Sequence, residues 1–149
     1  MQGGGTNSVN ALAALLDKIG PAIVIVHSQS GEYGIGLVRE RPQLVRALIS
    51  IEGGCETLKA DDAPKYFRTV PFISVFGDNS VGAWGVNGDG RRNDCIAAAK
   101  LVSAAGGRGT FYLLPDHGIV GNSHMMMMDR NNLQLADLLL KWIGENAVR

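Results

Sequence analysis

Ser28 sits in the run Val26-His27-Ser28-Gln29-Ser30-Gly31, at the end of a stretch of aliphatic residues. A serine hydroxyl is a poor nucleophile unless an imidazole takes its proton and a carboxylate fixes the tautomer of that imidazole. Further along, Glu52 and Asp78 each follow a hydrophobic run, and His117 and His124 share one long polar loop. Serine, acid and histidine thus occur in the chain order expected where a strand turns sharply into a helix bearing the nucleophile. On such a turn the Ser28 Oγ is exposed, and the next backbone N–H, that of Gln29, points at a developing oxyanion. Two frames fit the motif. With Ser28 as nucleophile, bulky Val26 stands where a glycine is usual and small Ser30 follows. With Ser30 as nucleophile, Ser28 precedes it and Glu32 follows. The motif taken alone also fits a serine that merely caps a helix.

The elements that must carry these residues are visible as an alternation of helical and strand patterns. Val9, Leu12, Leu15, Leu16 and Ile19 recur at helical spacing behind a cap at Asn7 or Ser8, and Gly20-Pro21 ends that helix. Ala22-Ile23-Val24-Ile25-Val26 is β-branched without alternation, the pattern of a parallel strand covered on both faces. A helix is expected from near Ser30 to before Pro42, then a strand over residues 47–51, a loop or short helix over 56–69, and a strand over 71–76. A Gly-rich loop spans 82–90, followed by a helix over 92–105, a strand over 110–114 and a final helix over 131–143. This order predicts an α/β fold: a parallel sheet with helices on both faces. Ligands bind such sheets beyond the carboxyl ends of the strands, and those ends deliver Ser28, Glu52, Asp78 and the histidine loop.

Composition bounds the partners. Of 149 residues, Lys and Arg number 14 and Asp and Glu 14, so the formal net charge is zero. No positive excess exists to displace counterions from a nucleic acid or to seek an anionic membrane. Neither partner is expected. Hydrophobic residues make up 46% and charged residues 19%, which is too apolar for a disordered chain. The first twenty residues show no signal-peptide pattern. The default expectation is a cytoplasmic protein, or an exported one if the N-terminus is truncated. Cys55 and Cys95 could form a disulfide or remain buried thiols. Asp78, Asn87 and Asp89 lack the alternation and terminal Glu of an EF-hand, and no metal site is expected.

His27-Ser28-Gln29-Ser30-Gly31, Ser50-Ile51-Glu52, Val75-Phe76-Gly77-Asp78 and Gly121-Asn122-Ser123-His124 resemble a small group of bacterial and fungal esterases of the α/β-hydrolase type. The resemblance runs from about Leu12 to Glu145 and takes in Asp129-Arg130-Asn131-Asn132-Leu133-Gln134. It implies a serine hydrolase of carboxylic esters that needs no cofactor. Ser28 is then the nucleophile, His124 the base and Glu52 the acid, with Asp78 the alternative acid because many α/β-hydrolases use the later strand. The chain departs from the group at Gly53-Gly54-Cys55 and in the loop after Asp78. The reading from another class is a non-catalytic α/β module that binds a small ligand or partner at the same strand ends.

Fewer than twenty residues separate Glu52 from the strand at Pro71, so no separate cap domain is expected, and the 82–90 segment is the candidate cover. One partial domain over residues 1–149 is expected. A complete fold of this type has about eight strands with the nucleophile after the fifth. The resemblance therefore implies the C-terminal half of the fold, with about four strands. That half alone would be poorly active or inactive, and its strand Ala22–Val26 would be an open edge inviting a homo-oligomer.

Overall fold

The computed structural model describes residues 3–80 and 88–147. Strands β1 (Ala22–His27), β2 (Val45–Ile51), β3 (Phe72–Phe76) and β4 (Gly109–Leu113) form one sheet in the order β1-β2-β3-β4. Every neighbouring pair is parallel. Parallel neighbours require crossovers, which run through α2 (Ser30–Glu40), the short α3 (Asp62–Tyr66) and α4 (Gly88–Ala104). Helix α1 (Gly3–Ile19) precedes the sheet and α5 (Asn132–Asn146) follows it.

The apolar runs of β2 and β3 are buried on both faces, whereas β1, expected to be covered on both faces, is buried only at Val26 because it has a neighbouring strand on one side alone. β3 is buried along its whole length, and in β2 only Arg46 reaches solvent. Leu48, Phe72 and Phe76 face a core shared with Ile35, Leu37 and Val38 of α2, Ala98 and Val102 of α4, and Leu16 of α1. Ala47, Ile49, Ile51, Ile73 and Val75 face the other way, against Leu135, Leu139 and Trp142 of α5. The two central strands are thus covered on both faces. β1 lies at an edge of the sheet, with Ile25 55% exposed. No helix among the described residues is long and apolar enough to cross a membrane.

The boundaries differ from the sequence expectation in instructive places. α1 reaches back through the Gly-rich start to Gly3, and α4 begins at Gly88, inside the segment expected to be loop. β4 stops one residue early, because Leu114 opens a 3-10 turn, Leu114–His117, around Pro115. Residues 81–87, most of the expected cover segment and Asn87 with it, lie outside the described residues.

Two features lock the strand ends together. At the start of α2, a Cβ on Gly31 would lie 2.5 Å from the Gly54 carbonyl oxygen and 2.6 Å from its nitrogen, so helix and β2 loop meet as closely as bare backbone allows. Gly31→Ala is expected to cost about 1–3 kcal/mol through this overlap, read as a lower midpoint in denaturant melts, together with reduced activity. The second feature is a disulfide between Cys55 and Cys95, which decides the alternative left open by the sequence. It ties the loop after Glu52 to α4 across 40 residues of chain. A loop of that length is worth on the order of 2–4 kcal/mol. Reduction, or the paired Cys55→Ser and Cys95→Ser substitution, should lower the melting temperature accordingly, as scanning calorimetry would show.

Candidate active site

β1 ends at His27, and the next residue turns the chain into α2 with Ser28 at φ 56°. That is a left-handed conformation, costing a non-glycine residue on the order of 1–3 kcal/mol unless its surroundings enforce it. Here they do. The Ser28 N–H donates to the Ile51 carbonyl, and the Ser28 carbonyl accepts from the Gly31 and Gly54 N–H groups. Ser30 closes the strand end: its Oγ donates to the His27 carbonyl at 2.6 Å and accepts from the His27 N–H at 3.0 Å. The alternative frame thus has its hydroxyl engaged with backbone, whereas Ser28 Oγ lies 2.9 Å from His124 Nε2.

Glu52 sits at the end of β2, also left-handed at φ 49°, and is 1% exposed. Its Oε1 accepts from the Gly77 N–H at 2.7 Å, and its Oε2 lies 3.4 Å from His124 Nδ1. Burial pushes this carboxyl above the usual range, partly offset by the Gly77 N–H and His124. Asp78, the alternative acid, stands one strand further on and does not reach the His124 ring. Its carboxylate accepts from the Gly121 and Asn122 N–H groups at 2.9 and 2.8 Å. Those hydrogen bonds, the one from Gly121 foremost, hold its pKa below the usual value. The structure thus brings Ser28, His124 and Glu52 together and uses Asp78 to clamp the histidine loop.

That loop is held at several further points. Asp129 accepts from the Ser123 N–H and hydroxyl, and the side-chain amides of Asn122 and Asn131 pair reciprocally. Asn79 N–H donates to the Asn122 carbonyl. His27 is half-buried and places its Nε2 2.8 Å from the His124 carbonyl. His117 stacks on Tyr112, with ring centroids 3.7 Å apart. Of Met125, Met126, Met127 and Met128 only Met126 is fully buried, while Met125 and Met128 are 43% and 76% exposed.

Gln29, the expected oxyanion donor, is the cap of α2, and its N–H precedes the first helical turn. An N–H there has no intrahelical acceptor and lies at the positive end of the helix dipole. One group was missed in the sequence. Arg91, in the first turn of α4, donates from Nη1 to Ser28 Oγ at 3.1 Å. A cation at a helix N-terminus opposes the dipole, and that misplacement is the only signal the sequence offered.

No family model matches the chain. A fungal protein described as "Probable secreted lipase phiG", from Fungal sp. (strain ATCC 74256), is 27% identical over 181 aligned residues. That alignment covers 92% of this chain and 50% of the lipase. A bacterial esterase solved at atomic resolution superposes with a TM-score of 0.85 at 40% identity, over 94% of this chain and 43% of its own. The chain spans about half the length of the relatives it matches. Sequence and fold together relate this chain to the esterases of the α/β-hydrolase type.

Proposed function

We propose that the chain hydrolyses carboxylic esters through an acyl-enzyme, with Ser28 as nucleophile, His124 as base and Glu52 as its carboxylate partner. The observation that carries this reading is the 2.9 Å approach of Ser28 Oγ to His124 Nε2, with Glu52 at the far nitrogen of the same ring. His124 takes the Ser28 proton as Oγ bonds to the ester carbonyl carbon. The carbonyl electron pair moves onto oxygen, where the Gln29 N–H faces it. Glu52 holds the proton on Nδ1 and stabilises the imidazolium that forms. Collapse of the tetrahedral species breaks the bond to the alcohol oxygen, which leaves with the proton from Nε2. Water then repeats the sequence on the acyl group, releasing the acid and restoring Ser28.

The left-handed backbone at both Ser28 and Glu52 supports a site whose geometry is maintained against strain, since outliers of this kind cluster where pre-organisation is used. A phosphonate ester carrying a good leaving group mimics the tetrahedral species and tests the reading directly. It should add once per chain, at Ser28, and stop turnover of an aryl ester in parallel. A folded protein that neither takes the label nor turns over esters would refute it.

A further inference from the structure

Arg91 is the charged group that touches the candidate nucleophile without belonging to the triad. It lies one helical turn before Cys95, on the same side of α4. The Cys55 disulfide therefore fixes that turn of the helix against the loop that follows Glu52. Arg91 as a residue is half-buried. Among the described residues no carboxylate oxygen lies within 4 Å of it, whereas its neighbour Arg92 is paired with Asp89. The two acids that feel its charge, Glu32 and Glu56, are hydrogen-bonded to each other. Their hydrogen bond holds Glu32 above the usual carboxylate range and Glu56 below it. Arg91 acts on both carboxyls through space without an ion pair to either, and its Nη1 donates to Ser28 Oγ instead.

We propose that Arg91 is a specificity-determining residue that selects esters bearing a carboxylate on the acyl side, within two or three carbons of the scissile carbonyl. The proposal rests on the hydrolytic reading above and adds its substrate class. His124 must protonate the departing alcohol and so takes the alcohol side of the ester. Arg91 meets the same serine oxygen independently, which leaves it beside the acyl group. An apolar acyl chain there would desolvate a guanidinium and return nothing. A carboxylate would fill its planar fork with two charge-assisted hydrogen bonds. The same contact would draw Nη1 away from Ser28 Oγ and free the lone pair that attacks carbon, so the preference should show in kcat as well as in KM.

The test compares two aryl esters with the same alcohol and acyl groups of nearly equal shape, a hemisuccinate and a 4-methylvalerate. The wild-type protein should favour the hemisuccinate. Arg91→Gln should lower the ratio of the two kcat/KM values by about 10- to 100-fold, the value of a charged hydrogen-bonded contact, and Arg91→Lys should restore part of it. A wild-type preference for the neutral ester would overturn the proposal. So would an unchanged ratio with both esters falling alike, because that would place Arg91 on the carbonyl common to both. Binding keeps this separate from turnover. Monomethyl succinate should bind Ser28→Ala at least about tenfold more tightly than it binds the Ser28→Ala/Arg91→Gln double variant by calorimetry. Equal affinity overturns the role of Arg91. Failure of the wild-type protein to hydrolyse either ester overturns the hydrolytic reading instead, and the calorimetric comparison still judges Arg91.

Discussion

Ser28→Ala and His124→Ala are each expected to lower kcat for ester hydrolysis by on the order of 10⁶, with the double variant hardly worse than either single one. Nucleophile and base act as one unit: without the imidazole the hydroxyl keeps its proton, and without the hydroxyl the imidazole has nothing to activate. The geometry behind this expectation is the 2.9 Å contact between Ser28 Oγ and His124 Nε2. Ser30→Ala is the matched control. Its hydroxyl bridges the His27 carbonyl and N–H, so its removal should leave most of the activity. Steady-state turnover of one aryl ester by all four variants checks this ranking. Loss in Ser30→Ala with activity retained in Ser28→Ala would reverse the choice of frame.

The second large effect concerns the acid. Glu52→Gln should cost on the order of 10⁴ in kcat, because a neutral amide no longer stabilises the imidazolium and can favour the wrong tautomer. Asp78→Asn should cost less than about tenfold, since Asp78 holds the Gly121 and Asn122 backbone and not the ring. Glu52→Gln also has a stability signature. Burial raises the Glu52 carboxyl, so its ionisation opposes folding. A group raised in the folded state contributes most when protonated, below the unfolded value, and loses that contribution as pH climbs through the raised value. The melting temperature of Glu52→Gln should therefore gain on that of the wild type as pH rises above about 4, the ordinary glutamate value. Thermal melts across that range, run beside the activity assay, would separate a functional carboxylate from a structural one. A large activity loss in Asp78→Asn with little in Glu52→Gln would move the acid to the later strand.

Much of the architecture was legible because its signals are local. The short, mostly apolar runs ending at Val26, Ile51 and Phe76 are each followed by polar residues or glycine and mark three of the strands, although the first proves to be a half-exposed edge. Parallel order follows from the helices between them, and the site follows from the strand ends. The glycine runs misled at both helix starts. Gly3 to Gly5 and Gly88 to Gly90 read as loop by propensity, yet they lie in α1 and α4, where the rest of each helix is packed against the core. The Cys55–Cys95 bond was undecidable because spacing says nothing about approach across 40 residues of chain.

The division of labour between Glu52 and Asp78 was equally hidden. Both follow a hydrophobic run, and only the three-dimensional path of the histidine loop sets one against His124 Nδ1 and the other against Gly121 and Asn122. Arg91 is the hardest case. It lies 63 residues from Ser28, beyond a glycine-rich stretch, and no pattern links the two. Only its position against the helix dipole marks it. Side chains that meet a site from a distant helix carry no periodic signal, since their role depends on a crossover and not on their own element.

The central claim is a covalent acyl intermediate on Ser28, and the mass of the intact protein during turnover tests it most directly. Protein mixed with an activated aryl ester and quenched in acid within the first turnover should gain the mass of one acyl group. Peptide mapping should place that group on Ser28, it should be absent from Ser28→Ala, and it should decay on continued incubation at the rate of acid release. Ester turnover with no acyl adduct at any time, or an adduct on another residue that decays at the turnover rate, would contradict the account.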